Sequence, residues 1–128
     1  ALRKASAYAK DRIVFDRPIG ENQAIQHPLA ARWMELEATN LMVLKAASLY
    51  DKGEPCGVEA NAAKYLAGEA AFKACETALM SHGGMGYAKE FHVERYLRES
   101  LIVRIAPITP HLILSFIAEK ALGLPKSY

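Results

Sequence analysis

The sequence predicts an all-α protein, folded as an antiparallel (up-and-down) bundle of four to five helices. Apolar residues recur every three or four positions over most of the chain, as they do on one face of a helix. Glycine and proline clusters divide these stretches, and no stretch shows a convincing alternation of apolar and polar residues that would predict a β-strand. A chain of 128 residues has the size of one ordinary domain, so we expect a single domain over residues 1–128.

The first half of the chain predicts two helices. The first covers about residues 1–12 and stops near a turn at residues 17–20. The second begins between residues 21 and 29 and runs to about residue 52, and Pro28 indicates either a kink or a later start. We expect one face of the second helix to carry its apolar residues, namely Ile25, Leu29, Trp33, Leu36, Val43, Ala47 and Tyr50.

The second half predicts a long helix, a glycine-rich loop and two shorter helices. The long helix, about Val58 to Met80, is rich in alanine, which lets neighbouring helices approach closely. Three glycines within four positions predict an irregular loop over Ser81 to Tyr87. A short helix of about Val93 to Ile102 follows, and an apolar helix of about His111 to Leu122 closes the chain.

Composition argues against several classes of function. Sixteen basic and fourteen acidic residues give a net charge of only +2, and the basic residues are scattered, so we expect no nucleic-acid partner. The apolar runs are far shorter than the ~20 residues of a membrane span. The sequence contains no Glu-x-x-His motif, so we expect no ferritin-like metal site. Cys56 and Cys75 do not have the spacing of a disulfide framework, which indicates reduced thiols in the cytoplasm, or in the mitochondrial matrix if the source is eukaryotic.

Because Ala1 opens the chain inside a helix without a capping residue, we expect an earlier part to be missing.

Three segments carry a resemblance to a known family. They are Tyr8 to Ile25, the glycine-rich stretch His82 to Tyr87, and Val93 to Glu99. In this order and spacing they resemble the C-terminal helical domain of the acyl-CoA dehydrogenases, and the similarity covers nearly the whole chain. The N-terminal helical domain and the middle β-domain of that family have no counterpart here.

The resemblance implies a flavin-dependent oxidoreductase that binds FAD and an acyl-CoA thioester. In such enzymes a carboxylate removes an α-proton while a β-hydride passes to the flavin, which leaves a 2-enoyl-CoA. An electron-transfer flavoprotein then accepts the electrons, and the enzymes are homo-oligomers, either dimers or typically tetramers. The same resemblance implies that the domain contributes FAD contacts and an oligomer interface, and that it is inactive by itself.

Six residues match cofactor-binding positions of that family. Arg12 matches the arginine that reaches the FAD diphosphate, which suits a permanent multi-donor cation. Phe15 matches an aromatic residue beside the adenine half, and Gln23 matches a cofactor-contacting glutamine. Asp16 departs from the glycine that usually follows this phenylalanine, so the local turn geometry differs from the family pattern.

The other three matches lie in the second half of the chain. Gly83 and Gly84 match a glycine pair whose backbone amides approach the cofactor of the neighbouring subunit. Thr109 matches the threonine of a Tyr-Glu-Gly-Thr motif of the family and is the sixth predicted cofactor-binding residue. Met80 stands where the family usually has a glutamine, so one polar contact is lost. His82 is interpreted as a loop histidine with its hydrogen bonds satisfied.

The catalytic residue is unknown from this sequence, because Pro107 falls where many family members have the catalytic glutamate. Three explanations stay open: a base on the helix upstream of Ala1, a non-catalytic subunit or another acyl-CoA reaction, or a misaligned loop with Glu99 or Glu119 as the base. A competing function from another class is a helical interaction module, in which the bundle serves only as an oligomerisation surface. Acyl chain length and branching cannot be inferred from this part of the fold.

Overall fold

The computed structural model describes residues 1–127 and confirms the all-α class. Five helices of ten or more residues and one helix of four residues account for most of this range. Their bounds are α1 Leu2–Asp11, α2 Gln23–Asp51, α3 Gly57–His82, α4 Gly84–Tyr87, α5 Val93–Ile105 and α6 Pro110–Leu122. Short 3-10 turns at Ile19–Glu21 and Lys89–Phe91 precede α2 and α5.

Helix α3 lies at the centre of the bundle and contacts α1, α2, α4, α5 and α6. Small side chains make this possible, since Ala70, Ala74 and Ala78 are buried along it. At Gly68 a β-carbon would lie 3.3 Å from the carbonyl oxygen of Val103 and 3.4 Å from the Cα of Arg104. The alanine-rich composition of α3 therefore sets how closely α5 approaches.

Polar contacts fix the end of α5 on α3. The Arg104 guanidinium donates to both carboxylate oxygens of Glu69, at 2.6 and 3.1 Å, and lies 4.9 Å from the centre of the Phe72 ring. Lys64 Nζ donates to the carbonyl oxygens of Val103 and Ile108, at 2.8 and 3.0 Å. The connection between α5 and α6, which contains Pro107, is thus held at both ends by a side chain of α3.

The expectation that the chain has no strand was wrong for one short segment. Ile13–Val14 pairs antiparallel with Arg17–Pro18, so a small hairpin follows α1. The two turn residues, Phe15 and Asp16, have φ angles of 52° and 61°, as a two-residue hairpin turn with both central residues at positive φ requires. Asparagine and glycine favour such a turn, whereas Phe-Asp gives no sequence signal for it.

Helix α2 differs from the expected orientation. Pro28 lies inside it, as the sixth residue of the helix. Four residues of the predicted apolar face, Trp33, Val43, Ala47 and Tyr50, are exposed, and Thr39 is the buried residue of the helix. Because apolar residues occur all around α2, the sequence pattern could not identify the side that packs on α3.

The predicted loop at residues 81–87 was also wrong in its extent. Helix α3 continues to His82, the chain turns at Gly83, and α4 begins at Gly84. Only one glycine of the three therefore breaks the helix, because Gly83 alone has a positive φ, at 58°.

In residues 1–127 no single helix is long and apolar enough to cross a membrane. Helices α5 and α6, which are bent by 44° relative to each other, reach the length and apolar composition of a membrane span only when they are taken together.

The two thiols should react at very different rates. Cys75 is a core residue on α3, and burial raises the pKa of its thiol, so less of the reactive thiolate is present at neutral pH. Cys56 is half-buried at the start of α3. We expect a disulfide reagent such as Ellman's reagent to modify Cys75 at least about tenfold more slowly than Cys56 in the native protein. A Cys56→Ser variant should retain only the slow phase, and a fast phase in that variant would contradict the buried position of Cys75.

Candidate functional site

An open cavity of about 330 Å³ lies where the end of α1, the hairpin and the C-terminus of α3 meet. Three of the six predicted cofactor residues, Arg12, Gly83 and Gly84, line it together although they are far apart in the sequence. Its other lining residues are Tyr8, Val14, Ile19, Met80, Ser81, His82 and Met85. We call this space the Arg12 cavity.

The charge of the Arg12 cavity suits an anion. Arg12 follows the last residue of α1, where its backbone N–H donates to the Tyr8 carbonyl oxygen at 2.8 Å, and it is an exposed residue that lines the cavity. Among the described residues that line this cavity there is no carboxylate, so the guanidinium is not neutralised from within the site. An arginine in such a place can donate several hydrogen bonds to phosphate oxygens.

The glycine pair gives the cavity an exposed backbone. A β-carbon on Gly84 would meet no atom within 4 Å, so the missing side chain leaves open space in front of the main chain. The N–H groups of Gly84 and Met85 lie in the first turn of α4, where a helix has no internal acceptor for them. A phosphate oxygen can therefore approach these amides, and the residues present fit a diphosphate group.

An aromatic cluster forms the wall behind the cavity. The rings of Tyr8 and His82 stack with centres 4.4 Å apart, and Phe91 meets both edge-on at 5.7 Å. His82 is the last residue of α3 and is only 4% exposed, so it is a buried helix residue and not the loop histidine expected from the sequence. The sequence did not predict a helical position for His82, because the glycines that follow it suggested an earlier end of the helix.

A second cavity, of about 230 Å³, adjoins the first and shares Met80 and Ser81 with it. Ala24, Ile25, Pro28, Glu76 and Thr77 complete its lining. Since Pro28 has no N–H, the Ala24 carbonyl lacks its usual helical donor and can accept a hydrogen bond from elsewhere. Gln23, predicted to contact the cofactor, immediately precedes these residues at the start of α2 and does not itself line either cavity.

Phe15 and Thr109 lie outside the Arg12 cavity. Phe15 occupies the hairpin tip with 93% of its surface exposed, while its neighbour Val14 lines the cavity. Thr109 caps α6, where its hydroxyl oxygen accepts a hydrogen bond from the Leu112 N–H at 3.4 Å. The roles of both residues toward a cofactor stay predictions.

The two glutamates considered as alternative bases are held in ion pairs. Glu99 accepts from Arg95 at 2.9 Å, and Glu119 accepts from Lys120 at 2.6 Å. The hydrogen bond from Lys120 lowers the pKa of Glu119, which weakens it as a base. Neither glutamate lines the Arg12 cavity, and Pro107 is exposed in the connection between α5 and α6.

Comparison with known proteins identifies the family to which the chain belongs. A family model described as "Acyl-CoA dehydrogenase, C-terminal domain" matches residues 1–121. The chain belongs to the acyl-CoA dehydrogenase family. It is 45% identical to acyl-CoA dehydrogenase FadE12 of Mycobacterium tuberculosis, an alignment that covers 100% of this chain and 34% of that protein. Among acyl-CoA dehydrogenase structures, it superposes on the butyryl-CoA dehydrogenase of Megasphaera elsdenii with a TM-score of 0.91 and 33% identity, over 96% of this chain and 32% of the other.

A further relative is a subunit of a reductase-Etf complex. The CarC subunit of the caffeyl-CoA reductase-Etf complex of Acetobacterium woodii is 41% identical over 82% of this chain and 28% of its own length. The chain thus spans about a third of the length of the curated acyl-CoA dehydrogenases that it matches. Family membership confirms the resemblance carried by the three sequence segments, and it assigns the bundle to a family of flavoprotein oxidoreductases.

The glycines of this acyl-CoA dehydrogenase domain should respond differently to the same substitution. A β-carbon at Gly86 would overlap with the carbonyl oxygen of Leu79, whereas one at Gly84 would enter open space. We expect Gly86→Ala to destabilise the fold by about 1–3 kcal/mol through overpacking, and Gly84→Ala to change stability little. Urea unfolding of both variants tests this, and equal stabilities would show that α4 does not pack on α3 as described.

Proposed function

We propose that this chain is the C-terminal helical domain of an FAD-dependent acyl-CoA dehydrogenase and that its Arg12 cavity holds the diphosphate of FAD. The observation that carries the proposal is the meeting of Arg12, Gly83 and Gly84 around one cavity without a carboxylate. Bound FAD supplies the acceptor for a substrate hydride. The domain's own residues bind and orient the cofactor: the Arg12 guanidinium offsets the diphosphate charge, and the amides of Gly84 and Met85 donate to its oxygens.

The remaining predicted contacts extend this site. The exposed Phe15 ring at the hairpin tip is available to pack beside the adenine, and Gln23 lies beside the second cavity, into which the nucleoside end can continue. Thr109 lies elsewhere in the bundle, so we assign it to a different cofactor molecule from the one in the Arg12 cavity. This assignment requires a dimer or tetramer, in which one domain contributes to two FAD sites.

We infer that the reaction is α,β-dehydrogenation of an acyl-CoA thioester to a 2-enoyl-CoA. Pro107 cannot act as the base, and Glu99 and Glu119 are committed to ion pairs, so the carboxylate that removes the α-proton comes from sequence that precedes this domain. An electron-transfer flavoprotein is the proposed acceptor, supported by the named complex of the CarC relative. We place the enzyme in the cytoplasm, or in the mitochondrial matrix of a eukaryote.

A second candidate function is a non-catalytic helical subunit of an acyl-CoA dehydrogenase-like complex. The exposed apolar side chains of α2, among them Trp33, Met34, Leu41 and Leu44, favour a role in assembly. The two candidates differ in whether the Arg12 cavity holds a cofactor, because an assembly subunit needs no anion site.

Replacing Arg12 should therefore deplete the cofactor. In the full-length protein we expect Arg12→Ala to weaken FAD binding about 10–100-fold, the usual effect of losing a charge-assisted hydrogen-bonding group. The measurement is the flavin-to-protein absorbance ratio after gel filtration, together with the FAD dissociation constant of the apoprotein. Arg98→Ala is the matched control, because it removes the same charge from a residue outside the cavity. Full flavin content in Arg12→Ala would favour the assembly function.

The 128-residue domain alone should hold FAD weakly. The Arg12 cavity is open and contacts only part of a dinucleotide, so most of the binding surface must come from other domains and another protomer. We expect the purified domain to lose FAD on gel filtration and to show a dissociation constant above about 10 μM by isothermal titration calorimetry. Tight, stoichiometric FAD in the isolated domain would contradict a site shared between protomers.

A further inference from the structure

Glu76 is a charged side chain that the proposed site does not yet use. It is exposed on α3 and lines the second cavity. Within residues 1–127 its carboxylate forms no ion pair and no hydrogen bond. Lys73, one turn earlier on α3, lines a different cavity beside Glu35, so it does not neutralise Glu76. The carboxylate is therefore available to a molecule that enters the second cavity.

The second cavity presents hydrogen-bond acceptors and no cation. The Ala24 carbonyl is an acceptor in its lining, because Pro28 has no N–H to occupy it. The Ser81 hydroxyl donates to the Thr77 carbonyl oxygen at 2.7 Å, so its hydrogen is already used and its oxygen remains an acceptor. No lysine, arginine or histidine occurs among the described residues that line this space. Since a carboxylate and a carbonyl can only accept, the cavity suits a neutral group that carries several donors.

The two cavities adjoin each other and have opposite charge. They share Met80 and Ser81, and Glu76 lies seven residues before the turn at Gly83, or about 10 Å along the axis of α3. The Arg12 cavity offers a guanidinium and main-chain amides to an anion, whereas the second cavity offers acceptors to hydroxyl or amino groups. A ligand that fits both has a diphosphate joined to a group with free hydroxyls. The diphosphate and ribose of an adenosine diphosphate moiety have this arrangement.

Both molecules that the proposed enzyme binds contain an adenosine diphosphate moiety, and they differ at its ribose. In FAD the 2′- and 3′-hydroxyls of this ribose are free, whereas in an acyl-CoA the 3′-oxygen carries a phosphate. A carboxylate accepts hydrogen bonds from free ribose hydroxyls, as an acidic residue does in dinucleotide-binding folds. The same carboxylate repels a phosphate, because the two groups carry charge of the same sign. An unpaired carboxylate at the ribose therefore distinguishes FAD from acyl-CoA.

We propose that Glu76 is a specificity-determining residue that accepts hydrogen bonds from the free adenosine ribose hydroxyls of FAD and excludes the 3′-phosphorylated moiety of coenzyme A from the same site. The inference rests on the proposed function of the Arg12 cavity, and it adds a selection between two ligands that share the diphosphate. Arg12 binds the group that both ligands have, and Glu76 contacts the group at which they differ. Glu76 acts on binding alone, since its partner is the ribose and not the flavin.

The experiment measures competition with FAD for the full-length apoprotein. The competitors are ADP and 3′-phosphoadenosine 5′-diphosphate, which differ by a single phosphate, and the readout is the amount of bound flavin. Because displacement of FAD is measured, binding at the acyl-CoA site does not contribute. The variant is Glu76→Gln, which removes the charge and retains a carbonyl acceptor. The matched control is Glu54→Gln, the same substitution at another exposed glutamate without an ion pair, which lines neither cavity.

We expect ADP to compete about thirtyfold better than its 3′-phosphorylated form in the wild-type protein and in Glu54→Gln, because the extra phosphate brings about two negative charges to the carboxylate. In Glu76→Gln this ratio should fall to about threefold or less. Glu76→Lys should reverse the preference, and it serves if the glutamine variant does not fold. Equal competition by the two probes in the wild type, or a wild-type ratio in Glu76→Gln, would overturn the role of Glu76.

The Arg12→Ala variant separates this inference from the proposed function. If Arg12→Ala loses FAD while Glu76→Gln keeps the wild-type ratio, the cavity assignment stands and the Glu76 inference fails. If Arg12→Ala retains stoichiometric FAD, the diphosphate is not in the Arg12 cavity and both fail.

Discussion

The close packing of α3 against its neighbours is the constraint on which the rest of the structure depends. Its buried alanines and Gly68 allow α5 to approach so closely that main-chain atoms nearly touch, and Glu69 and Lys64 then fix the end of α5. The same helix ends at His82, directly beside α1, so its position also determines where the glycine turn lies. The core and the candidate site are therefore two ends of one helix, and a change in its packing would move both.

The order of the helices follows well from the sequence, whereas the local geometry of the site does not. The alanine-rich stretch predicted α3, and the apolar stretch near the end of the chain predicted α6. Both predictions agree with the observed bounds to within two residues. The hairpin was missed because Phe15 and Asp16 are not the residues that a two-residue turn favours. Nothing in the spacing of Trp33 or Tyr50 distinguished the packed side of α2 from the exposed one, since that choice depends on tertiary contacts.

Arg12, Gly83 and Gly84 were identified from the family resemblance, but only the fold shows that they share a cavity. Seventy residues separate Arg12 from His82, and α1 must pack on the end of α3 for the two to meet. The stacked rings of Tyr8 and His82 make that contact. The sequence contains no periodicity that pairs these two residues, so their contact could not be predicted from it.

The distribution of charge in this domain favours cofactor binding over proton abstraction. A base for carbon acids needs an unpaired carboxylate close to the substrate, and Glu99 and Glu119 instead satisfy neighbouring cations on their own helices. The Arg12 cavity has the opposite character, since it exposes a cation and main-chain amides and no carboxylate among its described lining residues. Such a division of labour is physically reasonable under the proposed function, because a carboxylate in the Arg12 cavity would weaken the binding of any anionic group there.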